Sequence, residues 1–130
     1  MKKTAAGILA VLASLGIALT DAAAQEPLPV DQAFAISASE GPGGSLSVEW
    51  DIADGYYLYR DRIAARTADG AALTVETPSG LKKDDPNFGP SEIYYRRAEA
   101  VLSEPGLGPV EITYQGCQED GICYAPETRL

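Results

Sequence analysis

The sequence predicts an all-β fold, an antiparallel sandwich or barrel of about six to eight short strands. Three observations carry that expectation. Beyond the first two dozen residues no segment shows the apolar period of an amphipathic helix. Ser45 to Ile52 alternates cleanly, with Leu46, Val48, Trp50 and Ile52 on one face, as a half-buried strand requires, and Trp50 is expected in the core. Turn signals recur at roughly regular spacing between the β-rich stretches. An immunoglobulin-like sandwich fits the length of about 100 residues; periodicity alone does not separate it from a jelly roll or a small barrel.

In order along the chain, Lys2 and Lys3 precede an apolar run from Ala5 to Leu19, and Ala22-Ala23-Ala24 follows as a small-residue site. This is the layout of a secretory signal peptide over residues 1–24, cleaved after Ala24; the run is short of the roughly 20 residues that cross a bilayer. The exported domain would be residues 25–130. Gln25 to Val30, with Pro27 and Pro29, reads as an extended lead-in, and Gln32 to Ser39 as an alternating segment. Glu40 to Ser45 is a turn. Asp54-Gly55 turns the chain into Tyr56 to Ile63, rich in β-formers, and Asp69-Gly70 turns it again before a short strand at Ala72 to Thr77. Pro78 to Pro90 holds three prolines and two glycines without period and reads as a long loop of the kind that is often functional. Glu92 to Tyr95, Ala98 to Leu102 and Pro109 to Gln115 complete the strands.

Composition narrows the chemistry. The net charge is −9, and −10 once Lys2, Lys3 and Asp21 are set aside, which argues against nucleic acid or anionic lipid as a partner. No histidine is present, so a Ser-His-Asp or Cys-His nucleophile and a histidine-based zinc or haem site are excluded. The two cysteines, Cys117 and Cys123, make a poor metal site by themselves, and no cofactor is expected. Export puts thiols where disulfides persist, leaving disulfide chemistry as what this chain offers.

A Cys117–Cys123 bond would close a small ring around Glu119, Asp120 and Gly121. So short a loop contributes about 2 kcal/mol or less by chain entropy, which leans away from a purely structural staple. Gly116 and Gly121 give the backbone freedom to form it. Glu119, Asp120 and Glu127 disfavour a thiolate, and the motif itself holds no cation to oppose them. Tyr114 and Tyr124 bracket the pair and either shield it, line a docking face or pack on the core. Redox exchange and a structural disulfide in a non-enzymatic β-sandwich interaction module both remain open at this point.

The run YQGCQEDGICYAPET, Tyr114 to Thr128, resembles the cysteine motif of the N-terminal periplasmic domain of the DsbD thiol:disulfide interchange family. DGYYLYR, Asp54 to Arg60, resembles a tyrosine-rich strand of that domain. GPSEIYYRR, Gly89 to Arg97, resembles the segment after its cap loop, and PVDQAFAIS, Pro29 to Ser37, its start. The resemblance implies an immunoglobulin-like antiparallel sandwich with a redox-active pair at one edge. It implies a domain that takes electrons from a membrane-linked thiol reductant and passes them to periplasmic thioredoxin-fold proteins, disulfide isomerases and a cytochrome c maturation factor among them. Carried over, Cys117 and Cys123 are the exchanging pair, with Cys123 forming the mixed disulfide. The family's cap loop maps onto Asp85 to Gly89; its shielding aromatic aligns with Asn87, and Phe88 stands one position later, so either Phe88 takes over the shielding or the cap is looser. Tyr57 and Tyr59 match tyrosines near the family's cysteines. The plainer alternative, one toward the core and one toward solvent, fails if both lie at the pair, since residues two apart share a face. The family continues into membrane helices, whereas this sequence stops at Leu130, seven residues past Cys123; the expectation is a lost final strand pairing and, for a stand-alone chain, a reductant on another protein.

Overall fold

The computed structural model describes residues 26–130; the signal peptide read over residues 1–24 lies outside the described residues. Eleven strands are present among them: β1 Phe34–Glu40, β2 Leu46–Ile52, β3 Tyr56–Tyr59, β4 Ala64–Thr67, β5 Ala72–Leu73, β6 Leu81–Asp85, β7 Gly89–Tyr94, β8 Arg97–Leu102, β9 Val110–Tyr114, β10 Gly116–Gln118 and β11 Glu127–Arg129. They form three antiparallel sheets, ordered β1-β2-β8, β10-β3-β7-β6 and β11-β9-β4-β5. No helix among the described residues is long and apolar enough to cross a membrane.

The alternation of β2 does what the sequence asks of it. Val48, Trp50 and Ile52 are buried, with Asp51 exposed. Trp50 pairs across to Ala98, and Val48 to Ala100, so the small residues of β8 leave room for the indole. Trp50 meets Tyr114 of β9 edge to face, with centroids 5.5 Å apart, joining two sheets through one core. Phe34, Tyr56, Leu58, Ile112 and Leu102 belong to the same core.

β3 decides where the site lies. All four of its residues, Tyr56 to Tyr59, are buried. Alternation sends Tyr56 and Leu58 into the main core and Tyr57 and Tyr59 to the opposite face. There they form a second cluster with Ile93 and Cys117, against which Cys123 packs.

Three expectations change. The lead-in is not wholly extended: Val30–Ala33 makes one helical turn, because the Pro29 carbonyl accepts hydrogen bonds from Gln32 and Ala33, and the first strand starts at Phe34. The stretch Pro78 to Pro90 is not a long loop. It contains β6 and the start of β7, an antiparallel hairpin whose tip is Asp85 to Gly89. β6 is the edge of its sheet and reads Leu-Lys-Lys-Asp-Asp, charged as exposed edges commonly are, so it carries no apolar alternation to detect. The final strand pairing is present: β11 pairs with β9, Thr128 opposite Thr113, and Arg129 anchors it on Asp31 at 2.6 Å.

Candidate functional site

The site begins with the registration of β10 on β3, which sets Cys117 opposite Tyr57 and Gly116 opposite Leu58. A Cβ on Gly116 would stand 2.4 Å from the Tyr57 carbonyl oxygen and 2.5 Å from the Phe34 ring, so glycine is required here for close approach. After Gln118 the chain folds back through a turn in which Asp120, with φ of 53°, takes the left-handed position. The sequence pointed to Gly121 for that flexibility; the aspartate supplies it, as that residue type tolerates. The return sets Cys123 opposite Cys117, with Cα atoms 4.0 Å apart, and the two are disulfide-bonded.

The two sulfurs are not equivalent. Cys117 is sealed, at 0% exposure, and Cys123 is half-buried. Tyr59 Oη lies 3.0 Å from Cys117 Sγ and 3.8 Å from Cys123 Sγ. On the outer side, Asn87 Nδ2 donates to Cys123 Sγ at 3.1 Å. A disulfide sulfur carries no proton and can only accept; the Asn87 amide donates to Cys123, whereas the single Tyr59 proton goes to Asp85, leaving the Tyr59 oxygen in contact with the sulfurs.

Asp85 organises the surroundings. It is 3% exposed, yet accepts four hydrogen bonds: from Tyr57 Oη at 2.7 Å, Tyr59 Oη at 2.8 Å, and the backbone N–H groups of Asn87 at 2.8 Å and Phe88 at 3.1 Å. Burial pushes its carboxyl up, but these donors together outweigh burial and hold it below the ordinary carboxylate range. The tyrosines respond in the opposite sense. Burial first, then the hydrogen bond to Asp85, raises Tyr59 to about 12 and raises Tyr57 as well. One carboxylate therefore ties the hairpin tip to the tyrosine face beneath it.

The tip is a compact turn. Asp85 caps it, Pro86 precedes Asn87 with a restricted φ, and Gly89 closes it at φ of 69°. Phe88 sets its ring edge-on to Tyr59, with centroids 4.9 Å apart, and the Arg62 guanidinium lies 4.4 Å above the Phe88 ring. On the other flank Lys83 bonds Glu119 at 2.9 Å, and Tyr95 Oη donates to the same carboxylate at 2.9 Å. Lys83 thereby holds the Glu119 carboxyl low.

A model of the family described as "Thiol:disulfide interchange protein DsbD, N-terminal" matches residues 24–130. The chain belongs to the DsbD N-terminal family. Among curated relatives, the DsbD proteins of Citrobacter koseri, Pseudomonas fluorescens and Escherichia coli K12 are 35%, 38% and 37% identical over 105, 103 and 105 residues. Each alignment covers 78% of this chain but only 18%, 17% and 18% of the relative. Among solved structures, the DsbD N-terminal domain of Neisseria meningitidis in its reduced form superposes with a TM-score of 0.68 at 31% identity, covering 78% of this chain and 84% of that one. A complex of the DsbD N-terminal and PilB N-terminal domains from the same organism gives 0.64 at 30% identity, covering 82% and 86%. The DsbD N-terminal fold is an immunoglobulin-like antiparallel sandwich, and this chain has it, with Cys117 on the edge strand β10 and Cys123 bridged to it.

Within that frame the structure brings together Cys117, Cys123, Tyr57, Tyr59, Asp85, Asn87 and Phe88. It does not bring Tyr124 to the pair. Its ring turns the other way, onto Phe34 and Tyr56 at centroid distances of 5.5 and 6.3 Å, and its hydroxyl donates to the Leu28 carbonyl. Tyr114 likewise belongs to the main core. The split of Tyr57 and Tyr59 between core and solvent fails, because both sit on the cysteine face. Sequence reasoning found no cation near the ring acids; Lys83 reaches Glu119 from β6, a strand the sequence did not reveal. Arg62 and Tyr95 were also missed, being brought in only by the hairpin.

Proposed function

We propose that this chain is a periplasmic thiol:disulfide exchange domain, delivered by a signal peptide at residues 1–24, whose residues 25–130 pass two electrons through Cys117 and Cys123 to thioredoxin-fold partners. Disulfide isomerases and a cytochrome c maturation factor are the partner classes, and a membrane-linked thiol system is the reductant. The observation that carries this reading is the asymmetry of the bonded pair: Cys117 is sealed and Cys123 half-buried beneath a hairpin tip. Exchange proceeds through a mixed disulfide and needs one reachable sulfur, so Cys123 is the sulfur that a partner meets. The related Neisseria domain, characterised in complex with the PilB N-terminal domain, supports another protein domain as the docking partner. Asp85 to Gly89 act as the cap, with Phe88 and Asn87 at its tip.

In the reducing direction, the Cys123 thiolate attacks one sulfur of the partner's disulfide. A mixed S–S bond forms as the partner's bond breaks, and the partner's other sulfur leaves as a thiolate. Cys117, deprotonated, then attacks Cys123 Sγ, forming the intramolecular bond and releasing the second partner sulfur. Two electrons pass to the partner, and the two thiolates released there take up protons in place of those given up by Cys117 and Cys123.

The test is trapping. Cys117→Ser should accumulate a mixed disulfide through Cys123 with a thioredoxin-fold disulfide protein, read by non-reducing mass analysis, whereas Cys123→Ser should accumulate none. Catalytic turnover by Cys123→Ser would overturn the assignment, and absence of any adduct would favour a structural disulfide.

A further inference from the structure

We infer that Asn87 is a positioning residue for exchange at Cys123, its side-chain amide holding the reachable sulfur and favouring the thiolate that develops there. The inference rests on the exchange reading above. Asn87 Nδ2 stands 3.1 Å from Cys123 Sγ. Its backbone is fixed by the hydrogen bond to Asp85 Oδ1 at 2.8 Å, by Pro86 before it and by the turn closed at Gly89. The donor is therefore aimed at the sulfur before any partner arrives, and the ordering cost falls on the fold rather than on the reaction.

The direction of the effect follows from charge. An N–H to a neutral disulfide sulfur is a weak contact; the same N–H to a thiolate is charge-assisted and stronger. Asn87 thus favours the state in which Cys123 carries the electrons. The other groups around this sulfur push differently. Tyr59 Oη is 3.8 Å away, and its proton is directed to Asp85. Asp85 is a buried carboxylate one hydroxyl removed, and Glu119 and Asp120 lie within the ring, with Glu119 offset by Lys83 and Tyr95. Arg62 contributes positive charge from above Phe88. Against these acids, a neutral amide donor compensates without adding charge to the docking face. An aromatic shield at this position would cover the sulfur but offer no such donor.

The experiment uses the full chain after reduction, with the reductant removed, and iodoacetamide as probe. The pH–rate profile of alkylation is read on the Cys123 peptide by mass analysis, for wild type, Asn87→Ala and Asn87→Asp. Asn87→Ala is expected to move the midpoint of the profile to higher pH and to slow alkylation at pH 7 by about tenfold, as loss of a charge-assisted hydrogen bond implies. Asn87→Asp, which preserves the turn but replaces the donor with a carboxylate, should move it further and carries the test should the alanine variant fold poorly. An unchanged midpoint with uniformly faster alkylation would overturn the inference, making Asn87 a cover only; an unchanged profile would overturn it too. These readouts need no partner protein, so a failure to trap mixed disulfides would sink the exchange reading while leaving the Asn87 measurement to be judged separately.

Discussion

At the scale of single residues, the site depends on one carboxylate. Asp85 is the acceptor for two buried phenols and two backbone N–H groups, and in their absence a charge at 3% exposure would be costly. The arrangement also works in reverse, since Tyr57 and Tyr59 are buried in a cluster with Ile93 and the cysteines, where Asp85 accepts from both hydroxyls. Asp85→Ala leaves both hydroxyls and the turn N–H groups without this partner. The expected cost is about 3 kcal/mol of unfolding free energy by urea titration of the oxidised protein. A loss below about 1 kcal/mol would mean that water replaces the carboxylate freely and that the hairpin tip is not held through it. Asp85 was legible in the sequence only as the first residue of a cap known by resemblance; a lone aspartate in a charged run gives no hint that it will be buried. Asn87 was legible as a departure from an aromatic pattern, and its hydrogen bond to sulfur was not, because such a contact depends on a turn meeting a cysteine 36 positions later.

At the scale of elements, β3 and β10 show what alternation does and does not reveal. Four consecutive large residues with both faces buried look, in sequence, like a short continuous β-rich run; which face serves the core and which the cysteines is settled only when β10 and β7 take their places beside it. β2 was fully legible, since one of its faces is apolar and the other polar. β6 was not, since an edge strand has no need of an apolar face. The cysteine ring was legible as a ring, but its backbone requirement was misplaced: Gly116 is fixed by crowding against backbone and a packed ring and Asp120 by φ, while Gly121 is crowded by the Gln118 side chain. That distinction yields a test. A methyl group at Gly116 would meet backbone oxygen and a packed ring, neither of which can shift without parting β10 from β3. Gly116→Ala is therefore expected to cost about 2–3 kcal/mol. At Gly121 the added methyl meets side-chain atoms of Gln118 rather than backbone, so Gly121→Ala should cost less than Gly116→Ala, about 1 kcal/mol. Thermal melts of the two oxidised variants side by side would check the order. Equal losses would mean that the ring as a whole, rather than the β3–β10 approach, sets the glycine requirement.

At the scale of the whole molecule, the missing histidine governs how stability depends on pH. Below neutrality the groups to follow are carboxylates held low in the fold: Asp85 beneath its ordinary 3.8 by its four donors, and Glu119 beneath its ordinary 4.5 chiefly through Lys83. A depressed carboxyl stabilises the folded chain above its ordinary value, and that contribution is lost as pH falls toward the folded one. Above neutrality the groups are phenols: Tyr57 and Tyr59 are raised by burial and by Asp85 from an ordinary 10.0, Tyr59 to about 12, and burial raises Tyr95, Tyr114 and Tyr124 without Asp85. A raised phenol stabilises the folded chain below its ordinary value, and that contribution is lost as pH climbs past about 10. No histidine titrates between these limbs, and the bonded cysteines do not titrate either. The oxidised protein is thus expected to show a flat urea midpoint from about pH 5.5 to 9, falling below about pH 4.5 and again above about pH 10. Asp85→Ala should make the acid limb shallower, and because the same carboxylate raises both phenols, it should bring the alkaline limb less steep as well. A step in the midpoint between pH 6 and 8 would contradict this account of the charges; an alkaline limb unmoved in Asp85→Ala would mean that burial alone, without the carboxylate, governs the phenols over the cysteine pair.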